Sequence, residues 1–111
     1  VYLMLNEAVK NETIIDIINR TNYEYTYTKA DDQEKSKNVK STLRYFSNQY
    51  AYPSDITIIG GKTGTTNAAG YCLALYVKHK DSGKQYIVVV LKASSLDNLY
   101  GEMSYLLEFC E

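Results

Sequence analysis

The chain has 111 residues, enough for a single domain, and its composition of 45% apolar and 23% charged residues is typical of a globular protein and excludes a disordered one. Twelve Lys and Arg against thirteen Asp and Glu leave a net charge of −1, so no basic field is available to hold nucleic acid or an anionic membrane surface. No apolar run reaches the roughly 18 residues that are needed to cross a bilayer.

Two short helices are predicted at the start of the chain. Apolar residues recur at helical spacing over residues 3–9, and four isoleucines follow over residues 14–18. Between them, Asn11-Glu12-Thr13 interrupts the pattern and supplies capping side chains. Because the first helix begins at an uncapped apolar turn, residues 1–3, we expect the chain to be cut from something longer.

A tyrosine-rich strand is predicted next, over residues 22–28. Tyr23, Tyr25 and Tyr27 alternate with polar residues, so the three rings share one face. We expect helices to cover that face, and stacking on the sugars of a glycan is the alternative. The charge-rich residues 29–40 are interpreted as a solvated turn.

The middle of the chain gives a weaker signal. Residues 41–50 are ambiguous between a helical turn and a strand, and Leu43, Tyr45 and Phe46 are the candidates for burial there. Pro53 and the serine after it mark a loop.

The second half of the chain has the most regular pattern. A short apolar strand over residues 56–59 leads into a glycine-rich stretch, and an alternating strand over 71–80 is followed by a compact hairpin turn. Residues 86–91 are apolar at nearly every position, which is typical of a strand that is central in its sheet. A helix with Ser94 and Asp97 in a capping-box-like relation closes the chain. These elements predict an α+β fold, an antiparallel sheet with flanking helices.

The residues that could bind metal are few. Cys72 and Cys110 are not spaced as a zinc pair and His79 is the one histidine, so we predict no metal site. We favour two buried thiols, although one disulfide in an oxidising compartment stays open. His79 lies between two lysines at a hairpin end, where we expect a solvated surface side chain.

Residues 60–66, Gly-Gly-Lys-Thr-Gly-Thr-Thr, are the most informative stretch. Three glycines in five residues allow another backbone or a ligand to approach closely. The ammonium of Lys62 beside threonine hydroxyls suits an anionic group such as a carboxylate. A phosphate-binding P-loop is rejected because its first glycine would stand at position 56, which is Ile56, and because a strand follows instead of a helix.

Residues 61–73 closely resemble the Lys-Thr-Gly-x-Thr-x-x-Ala-Gly-Tyr-x-Leu stretch of D-alanyl-D-alanine carboxypeptidases, the low-molecular-weight penicillin-binding proteins. The resemblance continues through the hairpin, the strand over 86–93 and the closing helix, and it extends less specifically over residues 1–55. Class A β-lactamases share Lys-Thr-Gly but usually lack the Ala-Gly-Tyr continuation, so the carboxypeptidase branch is favoured.

The resemblance implies that the Lys-Thr-Gly strand borders the active-site cleft and pairs with the substrate peptide. Lys62, as a catalytic and substrate-binding residue, would supply positive charge near the nucleophile and the terminal carboxylate of the substrate. Thr63 and Thr65 would offer hydroxyls to that carboxylate, and the backbone N–H of Thr65 would be one of two oxyanion-hole donors. Gly64 would keep the strand bare enough for close approach.

The family's nucleophile, a serine with a lysine three residues later, is missing: no serine in the chain has lysine at that position. Ser36-Lys37-Asn38 spells the family's second motif, but it lies too near to Lys62 and we attribute it to chance. We therefore expect residues 1–111 to be the C-terminal portion of a carboxypeptidase domain with a penicillin-binding-protein/β-lactamase-like transpeptidase fold. The N-terminal portion with Ser-x-x-Lys would be absent, and the chain alone inactive.

The function implied by the resemblance is that of a serine-type D-Ala-D-Ala carboxypeptidase. It would trim peptidoglycan stem peptides through an acyl-enzyme, bind β-lactams, need no cofactor, and act outside the cytoplasm, in the bacterial cell envelope or secreted. The alternatives are a non-catalytic binding module that reuses the Lys-Thr-Gly sheet and a β-lactamase-like hydrolase. The strand over 86–93 would lack its natural neighbour, so we also expect self-association through it.

Overall fold

The computed structural model describes residues 1–111, in an α+β arrangement with two antiparallel sheets. One sheet has two strands in the order β1-β2, and the other has three in the order β3-β4-β5. The predicted fold class is confirmed. In chain order, the elements are α1 (Tyr2–Ala8), α2 (Glu12–Ile18), β1 (Asn22–Thr28), β2 (Glu34–Lys40), β3 (Ile56–Thr66), β4 (Gly70–His79), β5 (Gln85–Ala93) and α3 (Leu96–Leu107).

The three-stranded sheet carries the hydrophobic core on one of its faces. Alternate residues of β4, among them Leu75 and Val77 at 0% exposure, point to this face, and α3 packs against it. On the other face, α1 contacts β4 and β5, while α2 contacts β3. The longest helix is α3, with 12 residues, and no helix is long and apolar enough to span a membrane.

The segment between β2 and β3 forms turns that close the core. Leu43 and Tyr45 are buried at 3% and 2% exposure, and Phe46 packs partly against them, which confirms the predicted burial. The hydroxyl of Tyr45 lies 3.1 Å from the carbonyl of Tyr100 and 2.7 Å from Ser104 Oγ. The hydroxyl is therefore hydrogen-bonded although the side chain is buried in the apolar core. Burial raises the pKa of Tyr45 to about 12.

Two predictions are wrong, one about the charge-rich segment after the tyrosine-rich strand and one about the tyrosine stripe itself. The charge-rich segment taken as a turn is mostly β2, which pairs with β1 in register from Asn22↔Lys40 to Thr28↔Glu34. Every residue of β2 is exposed, so the strand carries no apolar alternation that a sequence pattern could detect. Helices do not cover the tyrosine stripe either, because Tyr23 and Tyr27 are 48% and 43% exposed.

The apolar strand β5 lies at the edge of its sheet, and β4 occupies the centre. The predicted central position is wrong for this chain. Apolar residues on both faces of β5 are explained by the helices, because α3 packs on one face and α1 contacts the other. The second backbone edge of β5 has no strand beside it.

The closing helix begins one residue later than the sequence pattern predicted. Ser95, not Ser94, is the N-cap, and its Oγ accepts a hydrogen bond from the backbone N–H of Asn98 at 3.1 Å. Ser94 Oγ instead meets the side-chain amide of Asn98. Asn11 caps α2 as predicted, by accepting from the N–H groups of Thr13 and Ile14.

The two serines form a matched pair for testing this cap. We expect Ser95→Ala to lower the free energy of unfolding by about 1 kcal/mol, because an orphan N–H of the first helical turn loses its acceptor. Ser94→Ala removes only an exposed side-chain contact and should change stability by less than about 0.5 kcal/mol. Denaturant unfolding measures both, and an equal loss for the two variants would contradict the assignment.

The free edge of β5 gives a second prediction. An apolar strand edge without a partner recruits another chain, so the chain should self-associate as its concentration rises. Leu91 is 55% exposed, and Leu91→Lys adds a charge at this strand without removing a core contact. Sedimentation velocity should show weaker association for Leu91→Lys. A wild-type chain that stays monomeric, with amides of residues 86–93 protected on both sides, would show the prediction to be wrong.

Candidate functional site

The glycine-rich part of β3 is positioned by a β-bulge and by the end of α2. The register of β3 and β4 shifts between Ile58 and Gly60. The side-chain amide of Asn19, just after α2, donates to the carbonyl of Ile59 at 2.6 Å and so satisfies a group that the bulge leaves unpaired. A Cβ on Gly60 would lie 2.6 Å from the Ile18 side chain, so the absence of a side chain lets α2 approach the strand.

The backbone of the Lys-Thr-Gly segment presents hydrogen-bonding groups to a free edge. His79 donates its N–H to the carbonyl of Lys84, the residue before β5, at 2.9 Å, so the backbone groups of odd-numbered residues of β4 face β5 and those of even-numbered residues face β3. In this part of the sheet, the even-numbered residues of β4 pair with Gly60, Lys62, Gly64 and Thr66 of β3, whose backbone groups therefore face β4. No strand lies beyond β3. The N–H and C=O groups left for the free edge are therefore those of Gly61, Thr63 and Thr65.

Lys62 lies at this edge as an exposed cation without a carboxylate partner. The ion pairs of the molecule are Lys10–Glu7, Arg20–Asp16 and His79–Asp55, and none includes Lys62. Its ammonium instead contacts the backbone carbonyl of Thr63. The charge is thus available to an anion that reaches the strand.

The side chains of Lys62 and Thr63 point to opposite faces of β3. Lys62 pairs with Ala74, whereas Thr63 pairs with Leu73 on the core face. The hydroxyl of Thr63 lies 2.7 Å from that of Thr42, in the turn after β2. Thr65 shares the face of Thr63 and is exposed. The structure therefore brings these predicted residues together along one strand edge, with Thr42 as a hydroxyl neighbour that sequence reasoning missed.

Gly64 differs from Gly60 in what surrounds it. A Cβ built on Gly64 meets no atom within 4 Å, so the packing of this chain does not require a glycine there. The space above Gly64 is open to a ligand.

A cleft of about 650 Å³ opens beside the strand, between α2 and the base of the β1-β2 hairpin. Gly61 and Thr42 are among the residues that line it. Arg20 and Asp16 also line the cleft, where they form an ion pair at 2.7 Å, and this hydrogen bond raises the pKa of the guanidinium. The cleft gives a path from the surface of the hairpin to the edge of β3.

His79 is more enclosed than predicted. Its ring is 12% exposed and lies 3.2 Å from a carboxylate oxygen of Asp55, while the backbone N–H of Ser82 donates to Nδ1 at 3.1 Å. The expectation of a solvated side chain is wrong, because the ring closes the β4-β5 turn onto the start of β3.

The cysteines are both free thiols. Cys110 is buried, and this burial raises the pKa of its thiol, whereas Cys72 is partly exposed. No group of three or more His, Cys, Asp or Glu side chains comes together as a metal site.

A comparison with known protein families gives a match. A family model described as D-alanyl-D-alanine carboxypeptidase matches residues 10–95, a range that includes all of β3 and β4. The chain belongs to this family. No curated protein and no solved structure matches the chain significantly. Membership indicates a peptidase of the carboxypeptidase type, and the α+β arrangement with antiparallel sheets is consistent with the penicillin-binding-protein-like fold.

The two glycines of this carboxypeptidase-family strand should respond differently to substitution. Gly60→Ala forces a Cβ against Ile18 and should lower the free energy of unfolding by about 1–3 kcal/mol. Gly64→Ala enters open space and should change it by less than about 0.5 kcal/mol. Denaturant unfolding of the two variants tests this, and a large loss for Gly64→Ala would mean that the fold itself requires that glycine.

Proposed function

We propose that the free edge of β3 is one wall of the substrate site of a serine-type D-Ala-D-Ala carboxypeptidase. The observation that carries the proposal is the combination at this edge of backbone groups that no neighbouring strand pairs with and the ammonium of Lys62, which no carboxylate neutralises. An extended peptide can add to such an edge as a further strand, with main-chain hydrogen bonds to Thr63 and Thr65. Its terminal carboxylate then meets Lys62 and the threonine hydroxyls.

The chemistry proposed is acyl transfer followed by hydrolysis. A serine hydroxyl from sequence outside these 111 residues attacks the carbonyl of the D-Ala-D-Ala bond, and D-alanine leaves as its amine takes up a proton. Water then cleaves the serine ester and regenerates the hydroxyl. The outward N–H of Thr65 is suited to donate to the oxyanion of each tetrahedral intermediate, a type of contact worth about 2.7–4 kcal/mol.

The same site is proposed to bind β-lactams, which carry a carboxylate beside a reactive carbonyl. The substrate proposed is the stem peptide of peptidoglycan, which implies a location outside the cytoplasm, in the cell envelope or secreted. Residues 1–111 are proposed to be the C-terminal part of the catalytic domain, and alone they are expected to be inactive because no Ser-x-x-Lys is present. If the chain is instead part of a non-catalytic binding module, the longer protein should not be labelled covalently by a β-lactam.

The test uses the longer protein that contains this chain. Lys62→Ala should slow acylation by a fluorescent penicillin by about tenfold or more, since a hydrogen bond to a charged group contributes roughly 1.5–3 kcal/mol. Gly64→Ala should also slow it, because its Cβ occupies the space that the peptide needs. Lys78→Ala, an exposed lysine of β4, is the matched control for charge.

Three results would contradict the proposal. Unchanged acylation in a folded Lys62→Ala variant removes Lys62 from the site. Absence of any covalent labelling of the longer protein supports the binding module instead. Stoichiometric, hydroxylamine-sensitive labelling of residues 1–111 alone would show that the nucleophile lies within this chain.

A further inference from the structure

The β1-β2 hairpin has two chemically different faces. Residues directly opposite in the register share a face, so Tyr23, Tyr25 and Tyr27 lie beside Val39, Lys37 and Lys35. We call these six residues the tyrosine face. The other face is polar, and the two acidic residues of the hairpin strands, Glu24 and Glu34, lie on it. The three aromatic rings therefore share a face with Lys35 and Lys37 and with no carboxylate, whereas Lys40, opposite Asn22, lies on the polar face with the two glutamates.

The tyrosine face is open to solvent. Tyr23 and Tyr27 are 48% and 43% exposed, Tyr25 is half-buried, and both lysines are exposed. The rings form a continuous row, with centroids 6.4 Å apart between Tyr23 and Tyr25 and 6.0 Å apart between Tyr25 and Tyr27. An exposed aromatic row rimmed by polar residues is typical of an interaction surface.

Packing within the chain does not account for this row. None of the six residues belongs to the hydrophobic core or packs against it. The first ring is held in place from the side, because the guanidinium of Arg20 lies 4.8 Å from the centre of the Tyr23 ring and is itself fixed by Asp16.

The tyrosine face continues into the cleft beside β3. Tyr23 and Val39 are near the open end of the hairpin, and both line the cleft that is also lined by Thr42 and Gly61. A long ligand lying across the rings would thus lead directly to the strand edge that carries Lys62.

We propose that the tyrosine face binds the glycan strand of peptidoglycan. Sugar rings offer apolar C–H faces to the tyrosines, and the lactyl carboxylates of those sugar units that carry no stem peptide complement Lys35 and Lys37. The choice of this polymer rests on the proposed function, whereas the pairing of aromatic rings with cations is a property of the hairpin itself. The glycan is thereby held while its stem peptide reaches β3 through the cleft.

The experiment titrates peptide-free glycan chains into residues 1–111 by isothermal calorimetry. Tyr25→Ala and Tyr27→Ala should each weaken binding about fivefold to tenfold, the scale of one aromatic contact. Tyr25→Phe keeps the ring and should retain the affinity. Lys35→Gln combined with Lys37→Gln should weaken binding and reduce its dependence on salt.

Matched controls separate this surface from the rest of the chain. Thr26→Ala changes the opposite face of the same strand, and Lys78→Gln with Lys84→Gln removes two charges from the end of β4 and the turn that follows it. All three substitutions should leave glycan affinity unchanged, and circular dichroism checks that every variant folds.

Several results would overturn the proposal. The first is the absence of saturable glycan binding. The second is a glycan affinity of Tyr25→Ala and Tyr27→Ala equal to that of the unsubstituted chain. The third is an affinity for polyglutamate equal to that for glycan, and the fourth is self-association of the chain that Tyr25→Ala abolishes. Equal binding of polyglutamate would show that the surface recognises negative charge alone. Self-association through Tyr25 would show that the surface binds a second copy of the chain. The glycan probe carries no D-Ala-D-Ala, so the acylation of Lys62→Ala tests the proposed function separately.

Discussion

The alternation of backbone and side-chain directions along β4 organises the molecule. Its hydrogen-bonding groups turn in strict alternation to β3 and β5, and its side chains turn in strict alternation to α3 and to α1. Because β4 satisfies one side of each neighbour, both neighbours keep one free edge. The edge of β3 has glycines, a lysine and threonines, whereas the edge of β5 is apolar. The two edges of one sheet are therefore suited to different partners, a peptide with a charged end and another hydrophobic strand.

The core on the α3 face holds the candidate site in place without entering it. Tyr100 of α3 accepts the backbone N–H of Arg44 at 3.0 Å, and Tyr45 packs edge-on against the same ring. These contacts fix the turn after β2, whose Thr42 reaches Thr63. A buried aromatic cluster thus determines where a hydroxyl neighbour stands at the strand edge. The polar end of the site depends on apolar packing some residues away.

Sequence patterns predicted the parts of the structure in which one face of an element is buried. The periodicity of β3, β4 and α3 is strong because the core imposes it, and the Lys-Thr-Gly segment has a motif that needs no structural context. The strand β2 could not be predicted, since both of its faces are exposed and its charged residues do not alternate with apolar ones. The same is true of the 2.7 Å contact between Thr42 and Thr63, which depends on how two distant segments pack. The position of β5 was misjudged because helices on both faces give the same apolar pattern as a central strand.

The contrast between Gly60 and Gly64 separates what the fold requires from what a ligand would require. Gly60 is enclosed by Ile18, and its lack of a side chain is explained completely by the approach of α2. Gly64 has no such explanation, since nothing in the chain lies within 4 Å of a Cβ there. The same reasoning applies to the tyrosine face, where two exposed rings and one half-buried ring lie on a hairpin that contributes nothing to the core. In both places internal packing does not explain the residues present, and a cleft lined by Tyr23 and by Gly61 lies between the tyrosine face and β3. The proposed ligand, an extended polymer with a peptide branch, has a shape that suits both features, with the polymer on the tyrosine face and the peptide beside Gly64.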